Sequence, residues 1–116
     1  MKIITACFVF TFPLAVLSSE YLDLEGKYYI GGKTAYDAPA NEPKSTHMYI
    51  HLTGMAAEEM YHLIKSLPKY DECLDDGSQT KFSGDIQCTV SKDISSYSCY
   101  FSLNSNNQEI GPGIVC

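Results

Sequence analysis

Four cysteines constrain this chain more than any other feature. Cys73, Cys88, Cys99 and Cys116 stand in its C-terminal half, separated by 14, 10 and 16 residues. No C-x-x-C knuckle occurs among them, which argues against a zinc site and against a redox-active pair. Apart from Cys7 in the apolar N-terminal segment, the count is even, which predicts a single small domain held by two disulfides, the pattern of exported proteins. Three connectivities are open. Ile86–Val90 and Tyr97–Phe101 both alternate in polarity, and the polar Ser91–Ser96 lies between them. Folded as a hairpin, they set Val90 opposite Tyr97, Cys88 opposite Cys99 and Ile86 opposite Phe101. Opposed cysteines have Cα atoms about 4.5–5.5 Å apart, within disulfide reach. Cys88–Cys99 is therefore favoured, leaving Cys73 with Cys116; Cys73–Cys88 with Cys99–Cys116 is the alternative.

Residues 1–19 read as a secretory signal. Lys2 supplies the positive end, Ile3 to Leu17 is almost wholly apolar, and Ser18 and Ser19 precede the charged Glu20. Cys7 is then ordinary signal content, because too little apolar chain precedes it for a lipid-anchoring signal. Residues 20–116 form the expected domain. Without Lys2 it holds seven lysines against fourteen acids, a charge of −7, and the chain has no arginine. Nucleic-acid binding is disfavoured by that sign. No membrane contact is expected once the signal is removed, since no other apolar run approaches about 18 residues. The oligomeric state is left open.

Along the domain, Lys27–Ile30 reads as a short strand closed by Gly31-Gly32, and residues 33–46, with Pro39 and Pro43, as a loop or mobile arm. Met48, Ile50 and Leu52 alternate with Tyr49 and His51, so the first three are expected inward and the other two outward. A helix follows. Thr53 is its expected N-cap, Glu58 and Glu59 suit its early turns, Ala56, Met60, Leu63, Ile64 and Leu67 form its apolar stripe, and Pro68 stops it. Thr80–Phe82, Ile86–Val90 and Tyr97–Leu103 complete an antiparallel meander. The class is α+β, one amphipathic helix on a small antiparallel sheet.

No constellation selects a catalytic chemistry. His47 and His51 would share a strand face about 13 Å apart, at roughly 3.3 Å per residue, too far to chelate one ion. Asp71, Glu72, Asp75 and Asp76 lack the register of a calcium loop. Gly31-Gly32-Lys33-Thr34 lacks the upstream glycine of a phosphate loop, because position 27 is lysine. No metal or cofactor is expected, and no residue is assigned a catalytic role. What remains is a surface. Net negative charge favours a basic protein partner, and Tyr36, Asp37, Tyr49, His51, Asp75 and Asp76 are the candidate contacts.

The order Leu52-Thr53-Gly54-x-Ala56-Ala57-x-x-Met60-Tyr61-x-x-Ile64, then Cys73, Lys81, Gly84, Ile86-x-Cys88, Tyr97-x-Cys99-x-Phe101 and Cys116, resembles small exported bacterial two-disulfide proteins. In size, export and acidity the chain is also similar to periplasmic lysozyme inhibitors and immunity proteins. That resemblance implies a periplasmic or secreted, non-enzymatic binding protein that occludes a basic, cell-wall-degrading enzyme; it carries no particular residue over. A small secreted effector or toxin-like protein is the alternative, and a small hydrolase comes third.

Overall fold

The computed structural model describes residues 20–34 and 38–113. Residues 1–19, expected as a secretory signal, the candidate contacts Tyr36 and Asp37, and Cys116 lie outside the described residues. The elements run β1 (Glu25–Gly31), β2 (His47–Thr53), α1 (Gly54–Leu63), β3 (Lys69–Tyr70), β4 (Gln79–Ser83), β5 (Ile86–Val90), β6 (Tyr97–Asn104) and β7 (Glu109–Gly111). The seven strands form one antiparallel sheet in the order β1-β2-β6-β5-β4-β3. β7 pairs with Ser102–Asn104 of β6, beyond Tyr97–Tyr100, where β5 pairs. The α+β class holds, with one helix on an antiparallel sheet. Two strands were not expected: β3 and β7 span two and three residues, too few to show an alternation.

The cysteine argument finds its register. Val90 pairs with Tyr97 and Cys88 with Cys99, and a disulfide joins the two cysteines with Cα atoms 4.1 Å apart. Cys73 is also disulfide-bonded; its favoured pairing with Cys116 involves a residue outside the described set. At the β4–β5 hairpin the chain reverses through Gly84-Asp85, where Gly84 takes the left-handed conformation (φ 58°) that such a tight turn demands.

The alternation of β2 divides the sheet into two faces. Leu52, Cys88, Val90 and Cys99 face the helix and are buried with Ala57, Tyr61 and Ile64. Ala57, Cys88 and Cys99 have no exposed surface. The carbonyl oxygen of Ala57 lies 3.4 Å from Cys99 Sγ, a van der Waals approach, since a disulfide sulfur has no proton to donate. The helix thus rests directly on the bridge, and a methyl group is what fits between them.

The expected helix needs three corrections. Its buried stripe is Ala57, Tyr61 and Ile64 with Met60 beside them, rotated from the expected one; Leu63 and Leu67 point into solvent. Thr53 holds the N-cap position as expected, but its side chain makes no capping bond; Glu58 and Glu59 fall in the second turn. The helix also stops at Leu63, before Pro68 can act. Ile64 is already extended (φ −74°, ψ 120°), which turns its side chain back into the core. Lys81 takes over the freed end. Its Nζ donates to the carbonyls of Tyr61 (3.4 Å) and Ile64 (3.2 Å) and sits 4.4 Å above the Tyr61 ring.

Because Ala57 is clamped between helix and disulfide, Ala57→Leu is expected to destabilise the fold by about 1–3 kcal/mol through overpacking. Leu63→Ala, at an exposed position, should fall within about 0.5 kcal/mol of wild type. Chemical denaturation of the oxidised proteins measures both.

Candidate functional site

A ten-residue helix is about 15 Å long, whereas the eight residues of β6 extend for about 27 Å. The helix therefore covers one end of its sheet face and leaves the other bare. The register defines what is bare. Ile30 pairs with Met48, Met48 with Leu103, and Leu103 with Ile110. These four apolar side chains form one row straight across β1, β2, β6 and β7. Tyr28, Ile50 and Phe101 form the next row toward the helix. Tyr28 is 69%, Ile30 51%, Ile110 49% and Leu103 42% exposed. A shallow depression of about 440 Å³ opens on this end, bounded by Ile30, Met48 and Leu103 and rimmed by Ser45, Thr46 and Gln108.

The opposite face is aromatic and largely closed. Tyr29 stacks on Tyr49 at 4.8 Å, His47 on Tyr49 at 5.8 Å, and His51 on Tyr100 at 4.3 Å between ring centroids. The Tyr49 hydroxyl donates to the Gly32 carbonyl at 2.6 Å, and burial beside Tyr29 and Glu42 pushes its phenol up. Tyr49 does point away from the helix, as its alternation requires. It is nevertheless only 5% exposed, so its side chain fastens the base of the 33–46 arm and offers almost no surface to a partner. That arm is held further by Glu42, whose carboxylate accepts from the backbone N–H and the hydroxyl of Thr34. His51 is half-buried, not solvent-facing. Its Nε2 is buried without a hydrogen bond, and desolvation, then the Lys27 charge, lowers its pKa from 6.5. Lys27, Tyr29, Tyr49, His51 and Tyr100 line a groove of about 350 Å³ on this face.

The acidic turn is built into the fold. Asp71 is buried. One carboxylate oxygen accepts from the backbone N–H groups of Cys73 and Leu74, at 2.9 and 3.0 Å. The other accepts from the Thr80 hydroxyl at 2.8 Å. With its proton so placed, Thr80 accepts from Thr89, 2.9 Å away. Asp75 accepts from the Tyr70 hydroxyl, and that bond, before any other cause, raises the Tyr70 pKa. Asp76 is held below the usual carboxylate range by its hydrogen bonds from Ser78. Asp75 and Asp76 follow β3, beyond β4, whereas Tyr49 and His51 stand on β2. Three strand spacings of about 4.8 Å, or about 14 Å, already separate β2 from β4. The described candidate contacts, Tyr49, His51, Asp75 and Asp76, are not brought together at one site. Among the described residues, no group of three or more His, Cys, Asp or Glu side chains is placed to hold a metal ion.

Sequence reasoning missed two surface features. One is the bare apolar row itself: Leu103 and Ile110 looked like ordinary strand and turn content, and only the β6–β7 pairing places them in line with Ile30 and Met48. The other is Ile94. It has φ 58°, a left-handed conformation uncommon for a β-branched residue, and its side chain is exposed. A serine network holds it there. Ser91 Oγ donates to Asp93 and accepts from the N–H groups of Ser95 and Ser96, while Ser95 Oγ also donates to Asp93. These bonds keep the Asp93 carboxyl below its usual range. The Ser-x-Asp-x-Ser spacing was the available signal.

Comparison with protein-family models, with curated proteins and with solved structures finds no match to this chain.

Two outcomes follow from the buried polar groups. The fold favours neutral His51, so below pH about 6.5 the unfolded chain takes up a proton that the folded chain resists. Stability should be fullest above that pH and fall as the pH drops through it toward the lower folded pKa. His51→Gln should remove that component of the fall, which thermal melting at pH 7.5 and pH 5 would show. Asp71→Ala leaves three donors without their acceptor, and a loss of about 2 kcal/mol is expected in denaturant unfolding.

Proposed function

We propose that the protein is an exported, non-enzymatic binding protein, an inhibitor or immunity protein that covers the site of a basic, cell-wall-degrading enzyme in the periplasm or outside the cell. The observation that carries this reading is the row Ile30–Met48–Leu103–Ile110, laid across four strands with no element of the described chain over it. Soluble single domains rarely leave so ordered an apolar row uncovered, and such patches commonly mark protein interfaces. A rigid support favours the same use: the sheet beneath is tied by the Cys88–Cys99 bridge, so little conformational freedom is lost on docking. The net charge of −6 favours a basic partner. An acidic surface speeds capture of a basic protein, while the apolar row would supply the water-excluding centre of the contact. Occlusion needs no catalytic group, in keeping with a chain that offers no selected nucleophile or acid–base pair in its sequence. Two disulfides and an apolar leader are the sequence features that favour export.

The test is inhibition at defined stoichiometry. Lysozyme, and any basic hydrolase retained from envelope or culture fractions by the immobilised oxidised protein, should be inhibited one to one. Leu103→Asp and Ile110→Asp should each weaken that inhibition by about tenfold or more, while Leu67→Asp, on the far side of the helix end, should leave it unchanged. If no basic hydrolase is inhibited, or the Leu103 and Ile110 variants inhibit as well as wild type, the reading fails.

A further inference from the structure

The edges of the described sheet are built differently, and that of β7 is three residues long. The β3 edge is two residues long and directly follows Pro68, both devices that blunt an edge. The β1 edge is seven residues long, Glu25-Gly26-Lys27-Tyr28-Tyr29-Ile30-Gly31, with no proline. It pairs with β2 along its whole length and with no other strand of the described chain on its outer side. One lysine is its sole protective charge, and Glu25 offsets it.

We propose that β1 pairs antiparallel with β1 of a second copy of this chain, about a two-fold axis through Tyr28. The central residue of the strand is the axis that keeps all seven residues paired. It sets Tyr28 opposite Tyr28 of the second copy, Lys27 opposite Tyr29, Gly26 opposite Ile30 and Glu25 opposite Gly31. The strand is self-complementary in this register. Each glycine meets a larger side chain, and the Tyr28 pair at the axis is an aromatic cross-strand contact of a favourable kind. Lys27 meets a tyrosine, and no like charges face each other. Glu25 and Lys27 leave the strand neutral, so the net charge of the whole chain is not concentrated at the contact. The pairing satisfies the outer backbone groups of β1 and joins the Tyr28–Ile50–Phe101 rows of both copies across the axis. This inference is independent of the enzyme-occluding role: it concerns the strand edge and not the bare row.

Mass measurement by light scattering on the oxidised protein tests the stoichiometry, and engineered cysteines test the register. The expected result is a dimer that dissociates on dilution. Tyr28→Cys should cross-link under mild oxidation, with the bond mapped through position 28, because the axis places the two Cα atoms about 4.5–5.5 Å apart. Tyr70→Cys, exposed on the opposite edge, should cross-link at least about tenfold more slowly. Tyr28→Lys sets two ammonium groups face to face and should shift the protein to monomer, with circular dichroism confirming that it is folded. A monomer at every attainable concentration overturns the proposal. So does a dimer that survives Tyr28→Lys, or one in which the two cysteine variants cross-link at equal rates.

Discussion

The contact of Ala57 with the Cys88–Cys99 bridge is the constraint on which the rest of this structure depends. The bridge fixes β5 against β6 at one register, and that register decides which side chains of both strands face the helix. Since a disulfide leaves little height above the sheet, the helix can approach only where it presents an alanine. That choice rotates the helix, buries Tyr61 and Ile64, and turns Leu63 outward. It also fixes the helix lengthwise over one end of the sheet. The helix end left by Ile64 then needs a cation, and Lys81, which pairs with Cys88 across β4 and β5, is carried there by the same register. One cross-link thus sets the lateral order of the sheet, the roll of the helix and the site of its electrostatic cap.

The two faces of the sheet solve the problem of a small core in different ways. On the helix side, burial is deep but confined, and the remainder of the face stays apolar and open. On the other side no helix of the described chain is present, and tyrosine and histidine rings stack along β1, β2 and β6. The Tyr49 hydroxyl is used to fasten the loop at Gly32. This division explains why the abundance of tyrosine does not translate into a tyrosine-lined contact surface. The row Ile30–Met48–Leu103–Ile110 left open on the helix side is aliphatic.

Much of the fold was legible in the sequence where two independent signals agreed. Alternation and opposed cysteines together gave the β5–β6 register to the residue, and alternation along β2 correctly divided its side chains between two faces. The helix was legible in place but not in roll. Its stripe was read from hydrophobicity, which ranks Leu63 and Leu67 above Ala57, whereas the fit over the disulfide selects for small size. Outward-facing does not mean exposed for Tyr49 and His51: the base of the arm fastens onto Tyr49 and His51 stacks on Tyr100, tertiary contacts with no local signature. For Asp71, Asp75 and Asp76 the sequence shows charge and not the hydrogen bonds that employ it. The bare row could not be seen at all, since its four members come from four strands, one of them only three residues long.

The contrast between the edges bears on how large an assembly of this chain can become. Growth of a sheet from copy to copy requires two open edges on every copy, one to receive and one to extend. Among the described strands β1 is the one long edge; β3 and β7 offer two and three residues. A pairing through β1 would use up the one long edge described and so would close on itself at two copies. The same asymmetry that exposes a strand to association would thus work against a fibre.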